Sequence, residues 1–307
     1  MHMNSMTPSI SIIVPLYNKE HTIRNTLETV LTQSYTDYEI IVINDGSTDQ
    51  SAAKVAEIND NRINLVCQSN AGVSSARNNG IMRAKGKWIL FLDADDTLMP
   101  DALKTFMDNI IDDETIVAAN FLVKTPTEQY KFLPVKKSGI YNHAEIYKAW
   151  AFKRLFLRTG SFIIPTDIAQ KEPYNESLLR FEDLDFLFRS FSHARIKFIP
   201  DIVMAYETSF ADASKINQQK WDKDYLFYLR FTSKQFWKNC VYGDCLNIAL
   251  NSYPAKQKEL ESLYAGNLKY AIIAKIINYS TLLNKKGIKK CRKKIILFFK
   301  KCNPWSK

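Results

Sequence analysis

Between residues 9 and 112 the chain alternates short, uninterrupted apolar runs with longer segments of helical spacing. The runs "ISIIVPL" (10–16), "YEIIVIND" (38–45), "INLVCQ" (63–68) and "KWILFLD" (87–93) are rich in β-branched residues and lack polar alternation. A strand that offers neither face to water is buried on both, so these runs predict a largely parallel sheet covered by helices. Covering helices are expected over 19–33, where Ile23, Leu27, Val30 and Leu31 recur at helical spacing, over 51–58, within 71–84 and beyond Pro100. Every run leads into polar residues: "VPLYNKE", "NDGSTD", "QSNAGVSSARN" and "DADD". Ligands of open α/β sheets sit at the carboxyl ends of the strands, so four such ends in succession predict one binding rim.

From Thr115 the alternation fades. Strands are expected at "TIVAANFLV" (115–123) and "TGSFIIP" (159–165), a hairpin or loop at "YKFLPVKKSGIY" (130–141), and helices over 143–156 and from about Glu182. Beyond Lys215 the pattern predicts helix almost throughout: Trp221 to Trp237, Lys256 to Leu283, and Lys286 to Cys302.

The net charge of +10 is unevenly placed. No acidic residue follows Glu261, while twelve of the 42 basic residues do, leaving 30 against 32 acidic residues in the first 261 positions. A near-neutral body with a cationic tail is not the pattern of a nucleic-acid binder, and no recognition motif accompanies it. Over 286–302, Ile288, Cys291, Ile295, Phe298, Phe299 and Cys302 form an apolar stripe opposite Lys289, Lys290, Lys293, Lys294, Lys300 and Lys301. Such a basic amphipathic helix lies in a membrane interface, here an anionic surface met by residues 285–302, or packs on its own domain or a second subunit. The preceding "YAIIAKIINYSTLL" is short and broken by Lys275, so no transmembrane helix is expected. Five cysteines form no C-x-x-C pair and no Cys/His cluster, which argues against a disulfide framework and a zinc site and for a reducing compartment. The first residues, "MHMNSM", hold no apolar core of a signal peptide.

The rim carries the candidate chemistry. Asp45 ends a β-branched run and is placed to accept hydrogen bonds from a base or ribose, whereas Asp49 suits a helix N-cap. Neither G-x-G-x-x-G nor G-x-x-x-x-G-K-[ST] is present, which counts against a dinucleotide turn and a P-loop. In "DADD", Asp93 and Asp95 can both face the crevice, and two hard oxygen donors plus a diphosphate would complete a Mg²⁺ or Mn²⁺ site. An EF-hand calcium loop would need glycine at its sixth position, which is Leu98. Asp96, with Thr97, reads as the entry to the next helix. Glu182 and Asp183 open a helix anchored by Leu184, Leu187 and Phe188, and the helix macrodipole alone would account for acidic residues there.

Taken together, "SIIVPLYNKEHTIRNTLETVLTQSYTDYEIIVINDGSTD", "SNAGVSSARNNGIMRAKGKWILFLDADD" and "YNESLLRFEDLDFLFR" resemble a family 2 glycosyltransferase of the GT-A fold. The resemblance covers residues 9 to about 206. It implies an α/β GT-A domain over 9–212, with a nucleotide-sugar half (9–112) and an acceptor half (113–212), between a tail (1–8) and a helical C-terminal region (213–307). It further implies inverting transfer of a sugar from a UDP-sugar to a hydroxyl of a glycan or lipid-linked acceptor in surface polysaccharide synthesis, on the cytoplasmic face of the cell membrane. By the same resemblance Pro15, Tyr17 and Glu20 line the nucleoside pocket, Asp45 meets the uracil, and Asn70, Gly72 and Arg77 close over the base and diphosphate. Asp93 faces ribose and metal, Asp95 is the main metal ligand, and Asp183, beside Glu182, is the general base. The alternatives are a nucleotidyltransferase on a related sheet and a non-catalytic, membrane-associated nucleotide-binding scaffold. Two positions depart from the family. Many relatives have glycine where this chain has Phe181, and an arginine and a histidine after Tyr206 where this chain has Glu207, Thr208 and Ser209.

Overall fold

The computed structural model describes residues 7–124, 129–131, 135, 137–208, 223–232 and 234–285. They group into two units, the first built from 1–143 and 156–224 and the second from 144–155 and 225–307.

The first unit holds a mixed sheet. Strands β1 (Ile10–Leu16), β2 (Tyr38–Asp45), β3 (Ile63–Gln68) and β4 (Trp88–Phe91) lie in the order β3-β2-β1-β4, all parallel. These are the four uninterrupted apolar runs, and in β1 and β4 nearly every side chain is out of water. Beyond β4 the sheet continues through β9 (Phe162–Pro165), β6 (Thr115–Lys124), β10 (Arg195–Glu207) and the two-residue β5 (Thr97–Leu98). Here β9 is antiparallel to both neighbours, whereas β6 and β10 run parallel. The stretch expected as a hairpin or loop supplies β7 (Gln129–Lys131) and β8 (Gly139–Tyr141), which pair with β6 and β10 rather than with each other.

Helices α1 (Ile23–Leu31), α2 (Ser51–Ala56), α3 (Val73–Arg83) and α4 (Ala102–Met107) follow the first four long strands. The expected spacing is the buried face of α1, where Ile23, Leu27 and Val30 are inaccessible. Helix α3 lies close on β1: a Cβ on Gly80 would stand 2.3 Å from Cγ2 of Ile13. Helix α6 (Thr166–Lys171) follows β9, and α7 (Glu182–Ser190) carries the candidate base. Three rings bind α7 to the sheet. Tyr174 stacks on Phe186 at 4.2 Å, and both meet the edge or face of Phe91 at 5.3 and 5.6 Å. Aromatic pairs of this kind add about 0.5–1.5 kcal/mol each beyond their burial.

The second unit is helical. It takes the body of α5 (His143–Ala151) together with α8 (Phe236–Ser252), α9 (Gln257–Leu263) and α10 (Leu268–Lys285). Helices α8 and α10 cross where Gly243 leaves no room for a side chain, since a Cβ there would reach 2.2 Å from the carbonyl oxygen of Tyr270. At the same unit's centre Asp244 accepts from Lys153 Nζ at 2.7 Å and from Asn278 Nδ2 at 2.8 Å. The helix expected over Trp221–Trp237 does not form over its described residues before Phe236, where α8 begins. Tyr225, Leu226 and Phe227 are buried in succession, a demand no single helical face meets, and they make a 3₁₀ turn instead. The Asn239 side chain bridges the N–H and C=O of Thr232, closing the entry to α8. The single helix expected from Lys256 is interrupted at Ala265–Asn267, before α10. No described helix is long and apolar enough to cross a membrane, and the basic stretch 286–302 lies outside the described residues.

Replacing Gly80 by Ala should lower stability by about 1–3 kcal/mol in a urea melt, because overpacking against Ile13 outweighs the gain in helix propensity. An unchanged or raised midpoint would contradict this packing.

Candidate active site

The carboxyl ends of β1, β2 and β4 and the start of α3 enclose a cleft of about 430 Å³. Its wall includes Pro15, Tyr17, Asp45, Asn70, Gly72, Asp93 and Asp95 of the residues singled out in the sequence. It also includes Lys19, Val73 and Leu179, which no sequence pattern marked. Four candidates are placed differently: Glu182 and Asp183, on α7, are not part of the cleft's lining, and neither are Glu20 and Arg77. Glu20 turns its carboxylate to the Gln50 N–H (3.0 Å), and Arg77 lies beneath the wall with 3% of its surface exposed.

Asp45 is almost fully buried and holds the loop that forms the cleft's far side. Its Oδ1 accepts from Gln68 Nε2 and Ala71 N, both at 2.8 Å, and its Oδ2 from Gly72 N at 2.9 Å. The next residue, Gly46, has φ +71°, and a Cβ there would meet the backbone nitrogen of Asn70 at 2.8 Å, so only glycine lets the two loops approach. Asp49 accepts from the N–H groups of Ser51 (2.9 Å) and Glu20 (3.1 Å), tying α2 to the β1 loop. Partial burial opposes its ionisation, and these hydrogen bonds outweigh that, holding its carboxyl below the usual value.

The "DADD" turn separates its charges by direction. The carbonyl of Ala94 accepts from the hydroxyls of Thr22 (2.8 Å) and Thr26 (3.0 Å) on the α1 side, pinning the turn. Asp93 and Asp95 then face the cleft and Asp96 faces inward. Asp93 Oδ1 accepts from Arg77 at 2.9 Å, and Asp95 Oδ2 from Lys19 Nζ at 2.7 Å. Asp96 is no helix-entry residue, contrary to expectation. It is wholly inaccessible, its Oδ1 accepts from the Glu207 N–H of β10 at 3.2 Å, and its Oδ2 has no hydrogen-bond partner among the described residues. Burial, then the neighbouring charges of Asp93 and Asp95, push its carboxyl well above the carboxylate range. The pairing of β5 with β10 pulls Asp96 under the sheet edge, and α4 starts only at Ala102.

Arg77 joins this turn to α7. Its guanidinium donates to Asp93 and, at 2.9 Å, to Glu182 Oε1, and lies over the ring of Tyr174 at 5.0 Å. Burial opposes the charge, and Asp93, Tyr174 and Glu182 more than offset it, so Arg77 is held above its usual value. Asp183 follows Glu182 in the first turn of α7, and its Oδ1 accepts from Leu184 N at 2.9 Å. Burial and the Glu182 charge push Asp183 up to about 6, while Arg77, Arg158 and the Leu184 N–H pull the other way. Among the described residues no three or more His, Cys, Asp or Glu side chains are arranged to hold a metal ion.

A family model described as glycosyl transferase family 2 matches residues 11–171, just over half of the 307 residues. The chain belongs to glycosyl transferase family 2. The Escherichia coli protein named uncharacterized glycosyltransferase YibD is 41% identical over 140 residues, covering 44% of this chain and 40% of that one. The Escherichia coli UDP-Glc:alpha-D-GlcNAc-diphosphoundecaprenol beta-1,3-glucosyltransferase WfgD is 42% identical over 96 residues, 31% of this chain and 38% of its own. The matches thus span about two fifths of either relative. The crystal structure of Staphylococcus aureus TarS 1–349 in complex with UDP-GlcNAc aligns with a TM-score of 0.57 at 19% identity, over 85% of this chain and 72% of that one. With the mixed sheet described above, this identifies the fold as GT-A, an α/β domain followed by helices.

The two departures from the family pattern have structural counterparts in this family member. Phe181 adopts φ +56° and ψ +24°, the left-handed conformation that glycine takes freely and a bulky side chain takes at about 1–2 kcal/mol. The Phe181 carbonyl accepts from Leu184 N and Asp185 N, so this strained residue starts the helix of the candidate base. Next to Tyr206 the expected arginine is Glu207, yet a guanidinium stands there. Arg158, from the segment before β9, lies 3.3 Å from the centre of the Tyr206 ring. Its charge reaches both Asp96 and Asp183. No local pattern marks Arg158, because these three partners are each more than 20 residues away in sequence.

The Asp183 carboxyl resonance should titrate near pH 6 by carbon NMR. Arg158→Ala removes a nearby positive charge that favours the carboxylate and should raise that midpoint by about half a unit or more. A midpoint near 4, or no upward shift in the variant, would contradict the site's electrostatics.

Proposed function

We propose that the protein is an inverting glycosyltransferase that moves a sugar from a UDP-sugar to a hydroxyl of a glycan or lipid-linked glycan during surface polysaccharide synthesis. The observation that carries this reading is the Arg77 bridge, which sets the first turn of α7 beside the cleft-facing Asp93. Tyr17, nearly half exposed in the cleft wall, offers a ring face to the base, and Asp45 with Asn70 and Gly72 encloses the nucleoside end. The N-terminus of α3 opens on the same cleft through Val73, and its unsatisfied N–H groups favour an anion such as a diphosphate. Names and ligands of relatives point the same way: TarS was crystallised with UDP-GlcNAc, and WfgD is named for a UDP-glucose donor.

In the proposed reaction Asp183 accepts the proton of the acceptor hydroxyl. That oxygen attacks the anomeric carbon from the side opposite the diphosphate, and the sugar–diphosphate bond breaks with its electrons passing to the diphosphate. A carboxyl titrating at about 6 is largely ionised at neutral pH yet still basic enough to take a proton, the balance a general base requires. The donor set fits a divalent ion, since Asp95 and Asp93 are hard oxygen ligands and Asp95 already accepts a cation in the form of Lys19. Asp95 and Asp93 would hold Mn²⁺ or Mg²⁺, which when bound supplies Lewis-acid stabilisation of the departing diphosphate. Glu182 positions Asp183 through Arg77. The basic stretch 285–302 supports peripheral contact with an anionic inner-membrane surface, where a lipid-linked acceptor would be met.

Incubation with Mn²⁺ and a panel of UDP-sugars should release UDP with one of them, slowly without acceptor. Asp183→Asn should lower acceptor-dependent turnover by about 10²-fold or more while leaving donor affinity within about threefold. Pyrophosphate as product, or full turnover in the variant, would overturn the proposal.

A further inference from the structure

Among the described residues the cleft wall exposes two large apolar side chains, Tyr17 at 45% and Leu179 at 37%. Tyr17 belongs with Asp45, Asn70 and Gly72 at the nucleoside end of the proposed donor site. Leu179 belongs to the lead into α7, four residues before Asp183, a stretch of chain that spans at most about 14 Å. Because Arg77 ties Glu182 to Asp93, the start of α7 and its lead stand at the Asp93 end of the cleft. The exposure of Leu179 is fixed by its neighbours. Its N–H donates to the Lys223 carbonyl at 2.8 Å, Arg180 after it bridges to the inaccessible Asp224, and Leu178 before it is buried, with its N–H on the Asn175 carbonyl at 3.1 Å. An apolar side chain held in water at the wall of a polar cleft becomes favourable when a ligand covers it.

We propose that Leu179 is a specificity-determining residue that covers the methyl of an acetamido group, so that the donor is a UDP-N-acetylhexosamine. The inference rests on the donor-site reading given under the proposed function. In that reaction the sugar lies between the diphosphate, at Asp93 and Asp95, and the acceptor hydroxyl whose proton Asp183 takes. A cleft-wall residue on the lead into α7 therefore meets the sugar and not the base. A nucleotide sugar has few apolar surfaces to offer. The uracil ring is one, and it suits the flat ring of Tyr17. A plain hexose presents hydroxyl groups around its rim, and its broad C–H faces suit an aromatic ring better than an aliphatic tip. An acetamido group adds a compact methyl, which a leucine tip can shield from water. One such carbon in an apolar pocket separates substrates by about 10–200-fold, and a leucine on one side of it gives the lower end.

The test is calorimetric titration of the full chain, in Mn²⁺, with UDP, UDP-glucose, UDP-galactose, UDP-N-acetylglucosamine and UDP-N-acetylgalactosamine. One acetamido donor should bind about tenfold or more tightly than the hexose donor of the same configuration. Leu179→Ala should bring that ratio to within about threefold, whereas Leu179→Met, which keeps an apolar side chain of similar volume, should retain it. Binding of UDP itself by Leu179→Ala, at close to wild-type affinity, would locate the effect in the sugar. Equal or tighter binding of the hexose donors by wild type, an unchanged ratio in Leu179→Ala, or an equal loss for all five ligands overturns the inference. With UDP still bound by wild type, each of those results leaves the transferase reading standing. Failure of the folded wild type to bind UDP or any of the four UDP-sugars overturns both.

Discussion

A guanidinium with 3% of its surface in water governs the arrangement of this molecule's rim. Removing a charge from solvent costs several kcal/mol, and only well-made contacts offset it. Arg77 makes two ion pairs of 2.9 Å, one to the end of β4 and one to the start of α7, and rests on Tyr174, while its Nε is left without a partner among the described residues. Such a group contributes little net stability and much specificity: only one placement of α7 satisfies both carboxylates. The aromatic cluster of Phe91, Tyr174 and Phe186 supplies the adhesion, and Arg77 the register.

The same constraint explains how so many acidic groups coexist in so small a volume. Asp93 and Glu182 share Arg77, Asp95 has Lys19, and Asp96 is withdrawn under the edge of the sheet, where burial raises its pKa. Asp183 is left with opposing influences and an elevated value of about 6. That value exceeds the carboxyl's value in an unfolded chain, so the stability linked to its proton is fully present below the unfolded value and is lost as pH rises through 6. The fold tolerates this loss, and the strained Phe181 before it, at the turn where the proposed function requires a basic carboxylate.

The first half of the fold is legible in the sequence because parallel strands buried on both faces are continuous apolar runs, and a polar residue at the end of each run marks the rim. Asp45, Asp93 and Asp95 are found in this way. Asp96 is misread because its burial depends on β10, about 100 residues away, pairing with a two-residue strand that no periodicity announces. Lys19 escapes notice between two selected neighbours, since a lysine in a loop reads as a solvated surface charge. Arg158 and Tyr174 are invisible for the same reason as Asp96, as their roles arise from contacts across the sheet. Consecutive apolar positions at 225–227 resemble a helix core in composition, and only burial on several sides distinguishes the 3₁₀ turn.

If Arg77 locks the first turn of α7 to the donor cleft, native-state hydrogen exchange on Arg77→Lys, which keeps the charge and loses the fork, measures that lock directly. The Leu184 and Asp185 amides should exchange about tenfold or more faster than in wild type while those of β1 and β2 keep their protection. Unchanged protection in α7, with the variant folded, would contradict it.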